Sequence, residues 1–240
     1  MEEPKYKRVL LKLSGESFCQ RGDFGIDGVA LESISERILD LSKSEIEVAV
    51  VVGAGNLLRG EKFCEQTRIP RNTADYMGML ATIINACALQ ETLERLGQPT
   101  RVLSAIEVAA MCEPFIRRRA IRHLERGRVA ILAGGTGNPF FTTDTCAALR
   151  AAEIDANLLI KATKVDGVYS SDPEKNPNAK FFSKMSYEDV LTKDLRIMDH
   201  SAISLCRDNS IPVIVLNIFK QGNIRRAIFG QKVGTLIDAG

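Results

Sequence analysis

The sequence has few of the side chains that hold transition metals. It contains two histidines and six cysteines, and no two cysteines form a C-x-x-C pair. Zinc sites draw mainly on these ligands, so the composition argues against a zinc cluster, and we assign no metal ligands. Cys87 in "IINACAL" and Cys206 in "AISLCRD" lie in apolar runs. These patterns predict small buried side chains in a reducing compartment.

Long hydrophobic runs and a large net charge are also missing. No stretch reaches the roughly 18 apolar residues that a membrane-spanning helix needs. The first apolar run is short, follows charged residues and is interrupted by Lys12, which is not typical of a signal peptide. We therefore expect a cytoplasmic protein with no membrane partner. The net charge of +2 argues against broad electrostatic capture of nucleic acid.

What the sequence does have is the composition of a folded α/β protein. Hydrophobic residues make up 45% and charged residues 26%, which excludes a disordered or fibrous chain. There is no repeat, low-complexity tract or interdomain linker. Apolar strands alternate with amphipathic helices, which predicts parallel β-α-β units. We expect a single domain over 1–240, built as a three-layer α-β-α sandwich with a mostly parallel central sheet.

Local signals place the individual elements. Strands are predicted at 8–13, 100–105, 157–163, 212–217 and 234–237. Two more are predicted within 47–55 and 128–137, and each of these runs into glycines. Asp27 is expected to cap the first helix, and Gly97 to stop a long helix that begins near residue 75. A short helix is predicted after a Ser104–Glu107 capping box, and the next is expected to start at Pro114. A further helix is predicted with Thr142 or Thr143 as its cap, and three more near 186–191, 199–208 and 223–229.

Three strands run into glycine-rich loops. These are Ser14-Gly15, Gly53-Ala54-Gly55 and Gly134-Gly135-Thr136-Gly137. In a parallel sheet, ligands bind beyond the carboxyl ends of the strands, and glycine lets the backbone approach an anion closely. Each loop alone is equally compatible with a plain tight turn. Together they indicate a site for several phosphates.

Two common phosphate motifs do not match these loops. The stretch from Gly55 to Lys62 lacks the Lys-Ser/Thr end of the Walker pattern. Residues 53–58 read G-A-G-N-L-L and lack the third glycine of the dinucleotide fingerprint. Asp75 follows about 20 residues on, as a ribose-binding acid would, but the preceding stretch is not a strand. A dehydrogenase is therefore a poor interpretation.

Charged residues near the loops favour phosphoryl transfer. Lys12 lies inside an apolar strand, where it needs an anionic partner unless the strand is at an edge and the side chain reaches solvent. Other cations at predicted strand or loop ends are Arg59, Lys161 and Lys164, and the nearby acids are Asp144, Asp166, Asp172 and Asp199. Such a set can neutralise phosphates and orient lysines or Mg²⁺. Asp166, within "VDGV", is also a common turn residue.

Longer motifs carry a resemblance that runs nearly end to end. The stretches "KRVLLKLSGES", "DYMGMLATIIN" (75–85), "GTGNPFFTTD" (135–144) and "KATKVDGVYSSDP" (161–173) resemble the bacterial uridylate (UMP) kinases of the amino acid kinase superfamily. This resemblance implies reversible transfer of the γ-phosphoryl group of ATP, with Mg²⁺, to UMP in pyrimidine nucleotide biosynthesis. It also implies an acceptor lobe at roughly 1–150 and an ATP lobe at roughly 151–240.

The resemblance also implies roles for individual residues. Lys12, Asp144 and Asp199 would be catalytic, with Lys12 on the transferring group. The ATP site would comprise Lys12, Leu13, Ser14, Gly15, Gly55, Arg59, Thr163, Tyr169 and Asp172. The UMP site would comprise Ala54, Asp75, Thr136, Gly137, Asn138, Pro139, Phe140, Phe141, Thr142 and Thr143. The carboxylate of Asp75 would suit ribose hydroxyls, and Phe140 and Phe141 either pack or shape the acceptor loop.

Assembly and control follow from the same resemblance. It implies a homohexamer that is inhibited by UTP, and many relatives are activated by GTP through a segment aligned with "QRGDFG" (20–25). This segment differs from the usual one, so GTP activation is left open. Ala54 replaces a common glycine, and His200 stands where an apolar residue is frequent.

Two other interpretations are kept. One is a related kinase whose acceptor is a carboxylate or carbamate, although the "GNPFFTTD" loop argues against it. The other is a non-enzymatic nucleic-acid binder that uses the arginines between Arg117 and Arg128. The near-neutral charge and the lack of interleaved aromatic residues favour a solvated helix face or a subunit contact instead.

Overall fold

Buried apolar strands form a mostly parallel sheet at the centre of the protein. The computed structural model describes residues 3–20, 22–43, 45–58, 67–193, 195 and 197–240. Within them, nine strands pair in the order β4-β3-β5-β2-β1-β6-β10-β11-β9. These are β1 (Arg8–Leu13), β2 (Glu47–Val52), β3 (Thr100–Ser104), β4 (Glu113–Pro114), β5 (Val129–Ala133), β6 (Leu158–Thr163), β9 (Lys184–Ser186), β10 (Val213–Asn217) and β11 (Thr235–Asp238).

Helices cover both faces of this sheet. They are α1 (Gly28–Ser42), α2 (Arg71–Arg95), α3 (Arg117–Glu125), α4 (Thr143–Glu153), α5 (Tyr187–Thr192), α6 (His200–Asp208) and α7 (Asn223–Ile228). On β1, Leu11 packs into one buried cluster and Leu10 into the other, because successive strand side chains point to opposite faces. Helices α1, α2 and α7 cover the Leu11 face, and α3, α4 and α6 cover the Leu10 face. The predicted three-layer sandwich is confirmed.

Strand direction brings the glycine loops to one edge of the sheet. Strands β2 and β6 both pair with β1 in parallel, and β5 pairs with β2 in parallel. Their carboxyl ends therefore meet at the same edge, as the sequence predicted. Only the far end of the described sheet departs from this direction, since β11 runs antiparallel to β10. Strand β1 lies between two neighbours, so the edge-strand explanation of Lys12 is wrong.

Several helix boundaries match their sequence signals. The Asp27 side chain accepts a hydrogen bond from the Ala30 N–H, and Thr142 caps α4 by accepting from the N–H groups of Asp144 and Thr145. Gly97 adopts a φ of 88° just beyond α2, a conformation that glycine reaches at little cost. These local signals succeed because a cap satisfies backbone groups within its own turn.

Other local predictions are wrong. No helix follows Ser104. Its hydroxyl accepts from the Ile106 N–H, but the Ala105 N–H donates to the Ala133 carbonyl and the Ser104 carbonyl accepts from the Phe115 N–H, so the chain continues as an irregular loop tied to its neighbours. Pro114 lies in β4, and the next helix begins at Arg117. The long helix α2 begins at Arg71, before residue 75. A two-stranded hairpin of β7 (Val168–Tyr169) and β8 (Phe181–Phe182) stands where only turns were expected.

No helix among the described residues is both long and apolar enough to cross a membrane. The five cysteines that the structure describes are all free thiols.

Candidate active site

Two lysines lie side by side on neighbouring inner strands of the sheet, near the carboxyl ends of those strands. Lys12 on β1 is directly opposite Lys161 on β6 in the parallel register. Each lysine lies two residues after a leucine of its own strand, Leu10 or Leu159, and side chains two residues apart point to the same face of a sheet. Both lysines therefore project toward the face that α4 covers. The Lys12 side chain is 11% exposed and the Lys161 side chain 16%. Two ammonium groups buried this closely need a shared counter-charge.

Asp144 supplies that counter-charge. It is the second residue of α4. Its Oδ1 lies 2.8 Å from Lys12 Nζ, and its Oδ2 lies 2.7 Å from Lys161 Nζ. Burial alone would raise the pKa of Asp144, but the two ammonium groups outweigh burial and lower it. The carboxylate is thus held ionised between the lysines, which leaves one excess positive charge in the cluster.

Lys161 is a functional candidate that sequence reasoning did not assign to the site. It appeared there only as one of several cations near strand ends. Its Nζ also donates a hydrogen bond to the Ile197 carbonyl. Burial lowers the pKa of Lys161, and Asp144 only partly offsets this effect. The signal was available in the apolar strand "NLLIKAT", where a lysine interrupts a buried run as Lys12 does.

Asp199 joins the beginnings of two helices. As the N-cap of α6, its carboxylate accepts from the Ala202 N–H. It also accepts hydrogen bonds from the hydroxyls of Thr142 and Thr145, the latter at 2.8 Å. Asp199 therefore fixes the N-terminus of α4, which carries Asp144. Its direct contacts are with hydroxyl and N–H groups, and it orients the cluster from one side.

A cavity of about 290 Å³ opens beside this cluster. Its walls include Asp144, Lys161 and Asp199, together with Leu195, Ile197, Met198 and His200. A larger cavity of about 740 Å³ is bounded by residues such as Lys5, Tyr6 and Asn157. None of the described residues predicted for the site lines that larger cavity. The buried charges of the cluster converge on the smaller cavity.

The first two glycine loops touch through their backbones. An ideal Cβ on Gly15 would lie 2.3 Å from the Gly55 nitrogen, a distance that real Cβ atoms essentially never show. The Gly53 N–H donates to the Leu13 carbonyl at 2.8 Å. Gly15 is therefore required by this close approach. Ala54 is buried in the same loop, and its small side chain is accommodated there. Arg59 lies outside the described residues.

The third loop is shaped by backbone conformations that favour glycine. Gly134, Gly135 and Gly137 have φ values of 75°, 58° and 83°. Phe140 also has a positive φ of 71°, and its ring is exposed, as is that of Phe141. The exposed rings favour a loop-shaping role over core packing. All of the predicted UMP-site residues except Ala54 and Asp75 lie in this segment, Thr136 to Thr143.

Asp75 reaches this loop from α2. Its Oδ2 accepts a hydrogen bond of 2.8 Å from the Phe140 N–H, and the Arg71 Nε lies 3.7 Å away. The expected place at the start of a helix is wrong, because α2 begins a turn earlier, at Arg71. The carboxylate therefore braces a strained position of the loop and retains a second oxygen for other partners.

The predicted ATP-site residues at the ends of β6 and β1 and in the segment after β6 make local contacts. The Thr163 hydroxyl donates to the carbonyls of Val165 and Leu216, and Tyr169 packs edge-on against Phe181. Asp172 accepts from the Glu174 N–H. Ser14 has extended backbone between β1 and the following 3₁₀ turn, and Leu13 is buried at the end of β1. Asp166 forms an ion pair with Lys220, which supports its interpretation as a turn residue.

The described carboxylates do not build a resident metal site. Among the residues that the structure covers, no group of three or more His, Cys, Asp or Glu side chains could hold a metal ion. Asp144 is engaged by two lysines, and Asp199 by hydroxyl and N–H donors. With both carboxylates engaged in this way, a magnesium ion here would need further oxygen ligands from outside the cluster.

The fold and this cluster define a class of phosphate-handling α/β proteins, and comparison with known proteins agrees. Residues 7–217 match the model of the amino acid kinase family, and the chain belongs to that family. The uridylate kinase of Methylococcus capsulatus is 52% identical over 100% of both chains.

Solved structures give the same answer for the fold. The UMP kinase of Bacillus anthracis superposes with a TM-score of 0.94 at 40% identity, covering 97% of this chain and 96% of that one. The UMP kinase of Ureaplasma parvum superposes with a TM-score of 0.91 at 37% identity, covering 98% of this chain and 99% of that one.

Proposed function

We propose that this protein is a UMP kinase, which reversibly transfers the γ-phosphoryl group of ATP to UMP to give UDP and ADP. The observation that carries the proposal is the buried Lys12–Asp144–Lys161 cluster at the carboxyl edge of the sheet, beside three glycine loops. The full-length similarity to a uridylate kinase supports the choice of acceptor. The reaction belongs to pyrimidine nucleotide biosynthesis.

The chemistry needs charge neutralisation more than proton removal. The second pKa of a phosphate monoester is about 6, so the acceptor phosphate is largely a dianion at neutral pH. One of its oxygens bonds to the γ-phosphorus, the bond to the β–γ bridging oxygen breaks, and that electron pair leaves on ADP. No general base is required. The barrier comes from bringing two polyanions together and from charge that develops on the transferring group.

The lysine cluster meets that requirement. Asp144 aligns Lys12 and Lys161 through contacts within the protein, so little reorganisation is needed during transfer. We assign Lys12 to the transferring phosphoryl group and Asp144 and Asp199 to organising the cluster. The backbone N–H groups of the glycine loops would bind phosphate oxygens closely. Mg²⁺ bound to ATP would neutralise further charge, and no step is assigned to a metal held by the protein.

The two substrates are assigned to two sides of the cluster. ATP is proposed to lie over Leu13, Ser14, Gly15, Gly55 and Arg59 and to reach Thr163, Tyr169 and Asp172. UMP is proposed to bind Ala54, Asp75 and the loop from Thr136 to Thr143. The exposed loop braced by Asp75 supports the acceptor side. In this proposal 1–240 is one kinase domain, with an acceptor lobe at roughly 1–150 and an ATP lobe at roughly 151–240.

We further propose a cytoplasmic homohexamer that is inhibited by UTP, while GTP activation is left open. Tyr76, Leu80 and Ile84 are exposed at helical spacing on α2, and a row of large apolar side chains on one helix face supports a subunit contact. Sedimentation analysis tests the assembly directly: a mass of six chains is expected, and a monomer at micromolar concentration would contradict it.

The decisive experiment measures ADP formation with Mg²⁺-ATP and a panel of acceptors: UMP, CMP, dTMP, AMP, aspartate, glutamate and carbamate. Strong turnover with UMP is expected, falling at least about 100-fold in Lys12→Ala. Lys193→Ala is the matched control, since it removes an exposed, ion-paired lysine elsewhere. Turnover with another acceptor instead of UMP would favour the related-kinase interpretation. A folded protein that turns over none of them would contradict the proposal.

A further inference from the structure

Helix α2 carries two buried polar side chains whose hydrogen bonds leave the helix. Thr82 and Asn85 are three residues apart, so they lie on the same helix face. Thr82 is 6% exposed and Asn85 fully buried. Buried polar groups need partners, and here the partners are the backbones of two different glycine loops.

Thr82 holds the acceptor loop. Its hydroxyl donates to the Met79 carbonyl of its own helix at 2.6 Å and accepts from the Gly134 N–H at 2.9 Å. Gly134 is the first residue of the loop that leaves β5, and its φ is 75°. The hydroxyl therefore satisfies a buried backbone donor at the point where the loop turns.

Asn85 holds the loop that leaves β2. Its Nδ2 donates to the Gly53 carbonyl at 2.8 Å and to Asn56 Oδ1 at 2.7 Å. In return, Asn56 Nδ2 donates to Asn85 Oδ1 at 3.1 Å and to the Gly25 carbonyl at 2.8 Å. An ideal Cβ on Gly15 would also lie 2.6 Å from Asn56 Oδ1. The amide pair thus lies directly against the first two of the three glycine loops, at Gly15 and at Gly53.

We propose that Thr82 and Asn85 are positioning residues, which hold the exits of β5 and β2 in register from one rigid helix. Neither residue is placed in contact with a substrate. Their role in catalysis rests on the function proposed above, because phosphoryl transfer requires the two bound phosphates to be aligned. Thr82 acts on the acceptor side alone, and Asn85 acts on both sides through Gly53-Ala54-Gly55.

Thr92 provides a matched control on the same helix. It is also a buried threonine, and its hydroxyl donates to the Ala88 carbonyl at 2.9 Å, as Thr82 does to Met79. Thr82→Val and Thr92→Val therefore each remove one hydroxyl and one hydrogen bond to a carbonyl of the preceding helical turn, three residues back for Thr82 and four for Thr92. They differ in the hydrogen bond to Gly134, which only Thr82 makes.

The experiment measures steady-state kinetics for UMP and ATP in both valine variants and in Thr82→Ser, which retains the hydroxyl. We expect Thr82→Val to raise the KM for UMP at least fivefold and to leave the KM for ATP within twofold. In Thr92→Val and Thr82→Ser, the KM for UMP and the KM for ATP should both stay within twofold of the values for the unchanged protein. Asn85→Asp, which loses both donated bonds, should raise both KM values and lower kcat. Equal KM values for UMP in Thr82→Val and Thr92→Val would overturn the proposal.

A second readout does not depend on the reaction. Amide hydrogen exchange of residues 134–137 should quicken in Thr82→Val and stay unchanged in Thr92→Val, because only the first variant frees the Gly134 N–H. Unchanged exchange in both would overturn the positioning role even if the enzyme is active. Absence of UMP turnover in the unchanged protein, with faster exchange in Thr82→Val, would instead contradict the proposed function.

Discussion

The loops that leave β1, β2 and β5 are held differently from the segment that follows β6. The first group is tied to the protein interior by Asn56, Thr82 and Asn85, all buried. The segment after β6 depends more on surface ion pairs. In the ion pair between Asp166 and Lys220 the side chains are 44% and 59% exposed. In the ion pair between Lys164 and Glu16 they are 36% and 49% exposed. A buried bond from the Val168 N–H to the Thr235 hydroxyl anchors its middle.

This difference shows where the protein is expected to be rigid. Buried hydrogen bonds leave a costly unsatisfied group when one partner is removed, whereas exposed ion pairs are screened by water. The side assigned to the acceptor and to the phosphates should therefore be preorganised. The segment after β6, which carries Tyr169 and Asp172 of the proposed ATP site, should tolerate change and open more readily. Substitutions on the two sides test this contrast.

The largest effect is expected from Asp144→Asn. The change leaves two buried ammonium groups facing each other without a counter-charge, so activity should fall at least about 100-fold and stability by roughly 3 kcal/mol. Kinetics and denaturant unfolding measure both. The pH dependence of stability has a definite direction. The lowered pKa of Asp144 adds to the free energy of unfolding above about pH 4, and this added stability is lost as the pH falls through the pKa of Asp144 in the folded protein. An Asn variant as stable as the unchanged protein at pH 7 would contradict this account.

Gly15→Ala should have the next largest effect. The new methyl would collide with the backbone of Gly55, so the two loops must separate, at a cost of about 1–3 kcal/mol and about 100-fold in activity. Gly55→Ala is the comparison, because a Cβ there meets no atom within 4 Å. It should unfold at nearly the same denaturant concentration as the unchanged protein. Equal destabilisation by both changes would contradict the close packing of the loops.

A smaller, pH-dependent effect is expected from Lys161→Arg. The pKa of Lys161 is lowered mainly by burial, so its ammonium loses a proton at lower pH than an exposed lysine would. Activity that needs this charge should decline on the alkaline side, and arginine, which stays charged, should move that decline to higher pH. Lys164→Arg, at an exposed position, is the control. The idea fails if the alkaline limb of kcat is the same in both variants.

The smallest effect is expected from Asp166→Asn. It removes the exposed pair with Lys220, which is worth about 0–1 kcal/mol. Thermal unfolding should shift by a few degrees at most, and the KM for UMP should not change. A loss as large as that of Asp144→Asn would show that the segment after β6 is as tightly held as the glycine loops, and the contrast between the two sides would disappear.

Much of the architecture could be predicted from the sequence. Apolar strands that end in glycines predicted parallel units with loops at one edge, because burial on both faces requires continuous hydrophobic runs. The cap at Asp27 and the stop at Gly97 were also predicted correctly, and the structure chooses Thr142 of the two caps offered, Thr142 and Thr143. Such signals succeed because each acts within one helical turn. Longer motifs indicated the family. The start of α2 and the loop after Ser104 were mispredicted, because tertiary contacts override weak local preferences there.

The sequence by itself determined the alternation of the main strands and helices, the glycine loops and an unusual lysine within an apolar strand. It could not show that Lys12 lies opposite Lys161, or that Asp144 bridges them, because register joins residues about 150 positions apart. Nor could it show that Thr82 and Asn85 reach two different loops from one helix. Those pairings depend on how the layers pack, and burial makes each of them necessary, since polar groups removed from water must find partners inside the fold.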